Sequence, residues 1–440
     1  MGPSHTPASP QASAATTSPA NPVRRVAAAS LIGTTIEFYD FYVYATAAVL
    51  VFGPLFFPSD NETAQTLSSL ATFAIAFVAR PVGSVVFGHF GDRVGRKTTL
   101  VAALLVMGIS TTLIGLLPTH ASAGALAPLL LCLLRFGQGL GLGGEWGGAA
   151  LLATENAPPH RRALWGTFPQ LGAPLGFVLA NTLFIGLAVG MSDEAFMSWG
   201  WRVPFLLSAV LVLVGLYVRL NLVETPVFAK ALAERAPVRA PIAEVFRRSG
   251  KVVVLGAFSV LLTYTLFYLT TTWSLSFGVS GLGYERQDFL LMLCGAVVFM
   301  ALATPLSGVL SDRFGRRPVL AVAMTGGGVV GLLTGPLLGS GSTGLVMLWL
   351  CLGLFCMGLV FGPIGAYLPE LFPTTVRYTG ASLAFNSGSI LGASLAPYTA
   401  VRLAEAGGVS WVGWYLTGAA VVSLVALALL RETRTASLED

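Results

Sequence analysis

Long apolar runs, each closed by a short polar stretch, recur along the whole 440-residue chain. They fall at 26-53, 64-89, 98-117, 124-153, 163-190, 202-222, 252-277, 288-310, 318-338, 344-368, 380-402 and 411-430. A helix rises 1.5 Å per residue, so about 20 apolar residues cross a hydrocarbon layer of roughly 30 Å. The pattern therefore predicts twelve membrane-spanning helices and an all-α integral membrane protein.

Composition agrees with the pattern. The chain is 55% hydrophobic and 10% charged, against roughly 25% charged residues in an ordinary soluble domain. Such a chain has too few charges to cover a water-facing surface, and most of its exterior must face lipid. The net charge of +5 does not gather into a patch for nucleic acid. With the N-terminus inside, twenty of the 25 Lys and Arg fall in the even-numbered connections and at the two ends, and only Arg202, Arg286 and Arg402 fall on the opposite side. The positive-inside rule then places both termini in the cytoplasm. Arg80 and Arg135 are left within the membrane.

The first 22 residues are rich in Ala, Ser, Thr and Pro and hold no Lys or Arg. They lack the basic and apolar regions of a signal peptide, and residues 1-23 are expected to form a disordered tail. Cys132, Cys294, Cys351 and Cys356 sit in apolar runs without a CxxC pair, which points to neither a disulfide framework nor a zinc site. The longest connection is charged and carries Pro226, Pro237 and Pro241. It divides six spans, 24-225, from six more, 251-433, with 226-250 as linker and 434-440 as a tail.

Internal repetition supports that division. Gly88-x-x-x-Asp92-Arg93-x-Gly95-Arg96-Lys97 recurs as Gly308-x-x-x-Asp312-Arg313-x-Gly315-Arg316-Arg317. Glu155-x-x-Pro158-x-x-x-Arg162 recurs as Glu370-x-x-Pro373-x-x-x-Arg377, and Glu224-Thr225 as Glu432-Thr433. Three ordered repeats at offsets of 220, 215 and 208 residues indicate a duplicated six-helix unit.

The Gly-x-x-x-Asp-Arg-x-Gly-Arg-Lys loop and its second copy resemble the signature of the major facilitator superfamily. The fourth span, with Arg135-x-x-Gln138-Gly139-x-Gly141, is similar to the superfamily's second motif. Glu37-Phe-Tyr-Asp40-Phe-Tyr, Ala79-Arg80-Pro81-Val-Gly83 and Gly-Gly-Glu145-Trp146-Gly-Gly resemble its metabolite:proton symporter family. The resemblance runs from about residue 24 to 433. It implies two pseudo-symmetric six-helix bundles and carriage of a small metabolite such as shikimate, 2-oxoglutarate, citrate, or proline or betaine. It also implies a bacterial plasma membrane, protons as coupling ion, no other cofactor, and function as a monomer. The fifth span, Gly166-x-x-Pro169-Gln170-x-Gly172-x-Pro174-x-Gly176, does not reproduce the superfamily's drug-antiporter motif, which weakens export by antiport.

A charge near the bilayer centre costs about 2.5 to 3.5 kcal/mol on insertion scales, so each should face a cavity or a partner. Glu37, Asp40, Arg80, Arg135 and Glu145 are the five such positions. Glu37 and Asp40 are three residues apart, hence on one helical face, and two close carboxylates repel when both are ionised. They are the candidates for proton coupling. The structural alternative is that they pair with Arg80 or Arg135 to hold helices together. Arg135 and Arg80 are candidates for holding a substrate carboxylate, with Gln138, Gln170, Tyr264 and Asn386 as polar candidates. Glu145 reads as a gate or a structural partner.

The two signature loops read as conformational machinery. Asp92 and Asp312, with Arg93, Arg96, Arg313 and Arg316, can latch helix ends together, as can Glu155, Arg162, Glu370 and Arg377. The plainer reading is that the arginines anchor to lipid headgroups. An osmolyte carrier would draw on an aromatic cage of Tyr39, Tyr44, Trp146, Tyr264, Tyr268 and Trp273, and a dicarboxylate carrier on both arginines. His5, His89, His120 and His160 sit at ends or loops, so the pattern for an enzyme is lacking. A channel or a sensor without transport uses the same helices.

Overall fold

The computed structural model describes residues 23–91, 93–221 and 241–436, and these contain helices and no strand. The first six long helices are α1 (Val23–Leu50), α2 (Glu62–Gly91), α3 (Arg96–Ile114), α4 (Leu126–Glu155), α5 (Arg162–Gly190) and α6 (Val203–Leu220). Then α7 runs through Pro241–Ser259, Leu261–Tyr268, Leu269–Trp273 and Ser274–Ser280. They are followed by α8 (Arg286–Phe314), α9 (Arg316–Leu332), α10 (Thr343–Glu370), α11 (Arg377–Ser389, Ile390–Ser394 and Ala396–Gly407) and α12 (Val409–Leu429). These are the twelve spans. Nine are long and apolar enough to cross a bilayer by length and composition alone, and α9 makes ten when joined to 334–340 across a 49° bend. The two that fall short, α1 and α11, carry polar side chains such as Glu37, Asp40, Arg377 and Asn386.

The same packing scheme occurs twice. In the first half α1 packs on α5, α2 on α4, and α3 on α4 and α6; in the second α7 packs on α11, α8 on α10, and α9 on α10 and α12. The halves meet where α2 lies against α11 and α5 against α8, contacts that exchange when the halves exchange. The duplication extends to the backbone. Gly95 and Gly315, matching positions of the repeated loop, have φ of 126° and 104°, in a region that only glycine occupies cheaply.

The linker differs from expectation at its end. Residues 241–248 are already helical and join α7 at a bend at Ser249 (φ −129°, ψ 15°). In this lead-in Glu244 pairs with Arg247 at 2.7 Å and with Arg248. Residues 226–240 of the linker, the N-terminal tail, Glu224–Thr225, Asp92 and residues 437–440 lie outside the described residues.

Close approach of helices rests on small residues. A side chain on Gly83 would run into the backbone of Leu140, one on Gly139 into Ala76, and one on Gly143 into the carbonyl of Arg80, so α2 and α4 are in backbone contact. Both α7 and α11 contain a five-residue π-helical turn, Leu269–Trp273 and Ile390–Ser394. Widened turns of this kind are common at functional sites.

Because Gly143 touches the backbone that carries Arg80, Gly143→Val should cost roughly 1–3 kcal/mol by overpacking. The expected readout is a lower midpoint for heat-induced unfolding of the detergent-purified protein; an unchanged midpoint contradicts the contact.

Candidate functional site

A cavity of about 480 Å³ lies between the halves, lined among others by Glu37, Tyr42, Arg80, Trp146, Thr263, Tyr264, Phe385 and Asn386. On the side away from the termini it is lidded by rings. Tyr42 lies 5.5 Å from Phe267 and 5.3 Å from Phe177, while Tyr268 lies 6.1 Å from Phe41 and 5.4 Å from Phe77. Beyond Tyr42 lies a smaller hollow of about 320 Å³ that includes Thr46, Asn181, Thr271 and Thr272. Toward the termini, Trp146 stacks on Phe385 with ring centres 3.7 Å apart.

Glu37 and Asp40 do not share a destination. Glu37 lines the cavity, and its Oε2 is buried with no hydrogen-bond partner among the described residues. Asp40 points into the first bundle, where the Ser208 hydroxyl of α6 donates to its Oδ1 at 2.5 Å and Oδ2 is left without such a partner. Three residues along a helix turn a side chain by about 60° from the starting face, enough to carry Asp40 behind the cavity wall. Ser208 carried no sequence signal beyond being a hydroxyl in an apolar run.

The two arginines also part. Arg80 lines the cavity, its guanidinium 4.8 Å above the Phe77 ring and 5.0 Å above Phe41, and its Nε has no hydrogen-bond partner among the described residues. Arg135 is held in a cage inside the first bundle, outside the cavity lining. Its guanidinium is 3.8 Å from the Tyr44 ring centre and donates to Gln138 Oε1 at 2.9 Å, and Gln138 Nε2 donates to Thr111 at 2.7 Å. Cation–π contact of this sort holds a desolvated guanidinium.

Glu145 is a pairing residue here. Its carboxylate meets Arg219, which also donates to the Leu100 carbonyl at 2.6 Å. Gly33 leaves room for that guanidinium, since a Cβ there would lie 2.9 Å from Arg219 Nη2. The charge count at the end of α6 placed Arg219 with the loop cations, but its long stem lets the head turn inward. Gln170 sits behind Trp146, accepting from its indole N–H at 3.1 Å and donating to the Phe361 carbonyl at 3.1 Å. Asn386 lines the cavity and spends its amide N–H groups on the seam, reaching Ser84 Oγ at 2.9 Å and the Gly143 carbonyl at 3.2 Å. Tyr264 lines the cavity beside Arg80, its buried hydroxyl making no hydrogen bond of good geometry among the described residues.

The face carrying the termini is closed by a charge cluster across the halves. Asp312 accepts the first free backbone N–H groups of α5, from Ala163 at 3.0 Å and Leu164 at 2.9 Å, where the helix dipole favours an anion. Arg316 bridges Asp312 at 3.2 Å and Glu370 at 3.0 Å. The repeated Glu and Arg pair crosswise, Glu370 with Arg162 at 3.6 Å and Glu155 with Arg377 at 3.7 Å. Arg93 and Arg313 are exposed, Arg93 beside His89 at 3.0 Å and Arg313 over Phe314; the side chain of Arg96 is outside the described set.

The tail after α12 completes the cluster. Thr433 donates to Glu370 at 2.6 Å, and the Ala436 carbonyl accepts from Arg162 at 3.0 Å. Burial disfavours the charge of Glu432. The backbone N–H groups of Arg316, Arg317, Arg434 and Thr433 outweigh it and hold this carboxyl below the usual range.

Residues 26–240 match the family described as sugar and other transporters, and residues 286–440 match the Major Facilitator Superfamily. The chain is 58% identical to the inner membrane metabolite transport protein YhjE of Escherichia coli (strain K12), over 96% of this chain and 97% of that one. This chain belongs to the major facilitator superfamily. Within the superfamily it is also 35% identical to the shikimate transporter of the same organism, over 94% of this chain and 95% of that one. In fold it resembles the proton:xylose symporter XylE, with a TM-score of 0.77 at 17% identity, covering 95% of this chain and 98% of that one. It is a multi-pass membrane transporter of small molecules and not an enzyme.

Neutralising Asp312 removes the anion from the start of α5 and from Arg316. In a background without the four cysteines, Ser382→Cys at the buried seam should react slowly with a membrane-impermeant maleimide applied from the termini side. Adding Asp312→Asn should speed labelling by about tenfold, as expected for a shift of about 1.4 kcal/mol toward the open face. Equal labelling rates would remove Asp312 from the latch.

Proposed function

We propose that the chain is a proton-coupled symporter that takes up a small organic acid or zwitterionic metabolite across a bacterial inner membrane by alternating access, with both termini in the cytoplasm. The observation that carries this reading is the pairing of functions on α1. Glu37 faces a cavity between two duplicated halves, and Asp40, one turn further, faces a buried polar pocket inside the first half. A carboxylate deep in the membrane without a cation beside it is relieved of its charge by binding a proton. Asp40 therefore holds the coupling proton, while Glu37, at the cavity wall, senses both that proton and the occupant.

Alternating access follows from the halves. In the described state the cytoplasmic face is shut by Asp312, Arg316, Glu370 and Arg162. The periplasmic approach is covered by aromatic rings, by Leu275, Leu290 and Leu293 beyond them, and by Arg286 facing the charge of Asp193 across the halves. Rings part without the cost of separating buried ions, whereas the ion cluster must find water or new partners as it opens. Rocking of the halves about the cavity exposes it to one side at a time.

Asp40 lies outside the cavity, so its charge can be removed without touching the binding surface. In proteoliposomes Asp40→Asn should retain solute exchange within about twofold while accumulation driven by an imposed proton gradient falls by about tenfold or more. Undiminished gradient-driven accumulation in this variant would falsify the coupling role of Asp40.

A further inference from the structure

We infer that the occupant of the cavity carries a single carboxylate on a compact body, zwitterionic or hydroxylated, and that di- and tricarboxylates are refused. The inference rests on the transport reading above and narrows its substrate class. Buried polar atoms are almost always hydrogen-bonded, so those that are not point to a missing partner. Four such atoms line this one cavity: Glu37 Oε2, Arg80 Nε, Thr263 Oγ1 and the Tyr264 hydroxyl. They offer one cation, one acidic group and two hydroxyls to a ligand.

The number of cations sets the number of carboxylates. Arg80 is the one guanidinium in the described lining. Arg135 is held behind the wall by Tyr44, Phe41, Phe73 and Gln138, and Arg219 is engaged with Glu145. A second ligand carboxylate would have to face Glu37 or the electron-rich faces of the surrounding rings, and both repel it.

The remaining lining fits the body of such a molecule. The stacked Trp146 and Phe385, and Tyr264 with its ring 5.2 Å from Phe385, offer flat apolar surfaces on which a small ring or branched carbon skeleton can lie. An ammonium on the same molecule would face Glu37 and the ring of Tyr42. Ring hydroxyls would instead reach Thr263 and Tyr264 and donate to Glu37. Both kinds present the same single carboxylate to Arg80.

Counterflow into proteoliposomes separates the possibilities. Vesicles are loaded in turn with proline, glycine betaine, shikimate, succinate and citrate. At least one of the first three should exchange, with succinate and citrate about tenfold slower or worse. Glu37→Gln should slow a zwitterion by about tenfold and leave shikimate within about threefold, which tells the two sources apart; in either case it should speed succinate severalfold by removing the like charge. Succinate or citrate exchanging as fast as the best monocarboxylate overturns the inference and leaves organic-acid transport standing. Exchange of succinate unrelieved in Glu37→Gln overturns the role given to Glu37. Failure of all five solutes to exchange counts against the transport reading of the cavity, and the inference falls with it.

Discussion

A charge in hydrocarbon must meet a counter-charge, a ring of hydrogen-bond donors and aromatic faces, or a wet cavity. That constraint organises the interior of this protein. Glu145 is met by Arg219 drawn in from the end of α6, and Arg135 by the faces of Tyr44, Phe41 and Phe73 and the amide of Gln138. Among the described residues Arg135 keeps Nε and Nη2 without hydrogen-bond partners inside the first half, Glu37 and Arg80 carry such atoms at the cavity, and Asp40 sits behind it with one oxygen served by Ser208. The site is located where such atoms meet a cavity instead of aromatic faces and packed helices.

The duplication turns the same constraint into a closure. A carboxylate and a cation from one repeat pair with the opposite members of the other, so that Glu370 reaches Arg162 and Glu155 reaches Arg377. Glu370 already has Arg316 of its own half at 3.0 Å, and the cross pairs add a counter-charge from the opposite half to this buried network. Asp312 adds a hydrogen-bonded anion at the start of α5, and Thr433 and Ala436 bring the chain's end into the cluster. Breaking one of these pairs exposes a charge in each half, which makes the closure cooperative.

The twelve spans were legible because lipid demands long apolar runs, and α1 and α11, though too polar to pass that measure alone, were carried by their length and their place between turns. The loop glycines were legible as a repeat, and their positive φ gives the physical reason. The split between Glu37 and Asp40 was not, because spacing puts them on one broad face and only the positions of α3, α4 and α6 decide which part of that face meets the cavity. Arg219 was counted by its place in sequence, whereas its head lies a full side chain away from its Cα. Glu432–Thr433 showed as a repeated dipeptide, and nothing in two residues tells that Thr433 will reach Glu370 from 63 positions away.

The geometry of α1 gives the proposed coupling its physical content. One turn of helix separates Glu37 at the cavity from Asp40 at Ser208, and the buried Glu145 is a charge neighbour of both, so the carboxylates feel one another where screening is weak. A proton arriving at Asp40 changes the field at Glu37 without entering the cavity, and an occupant that answers Glu37 changes the cost of charging Asp40. Neither event needs a moving part between them. Motion is required where Asp312, Glu370 and their arginines hold the halves together on the face that carries the termini, and where the rings of Tyr42 and Tyr268 cover the opposite side.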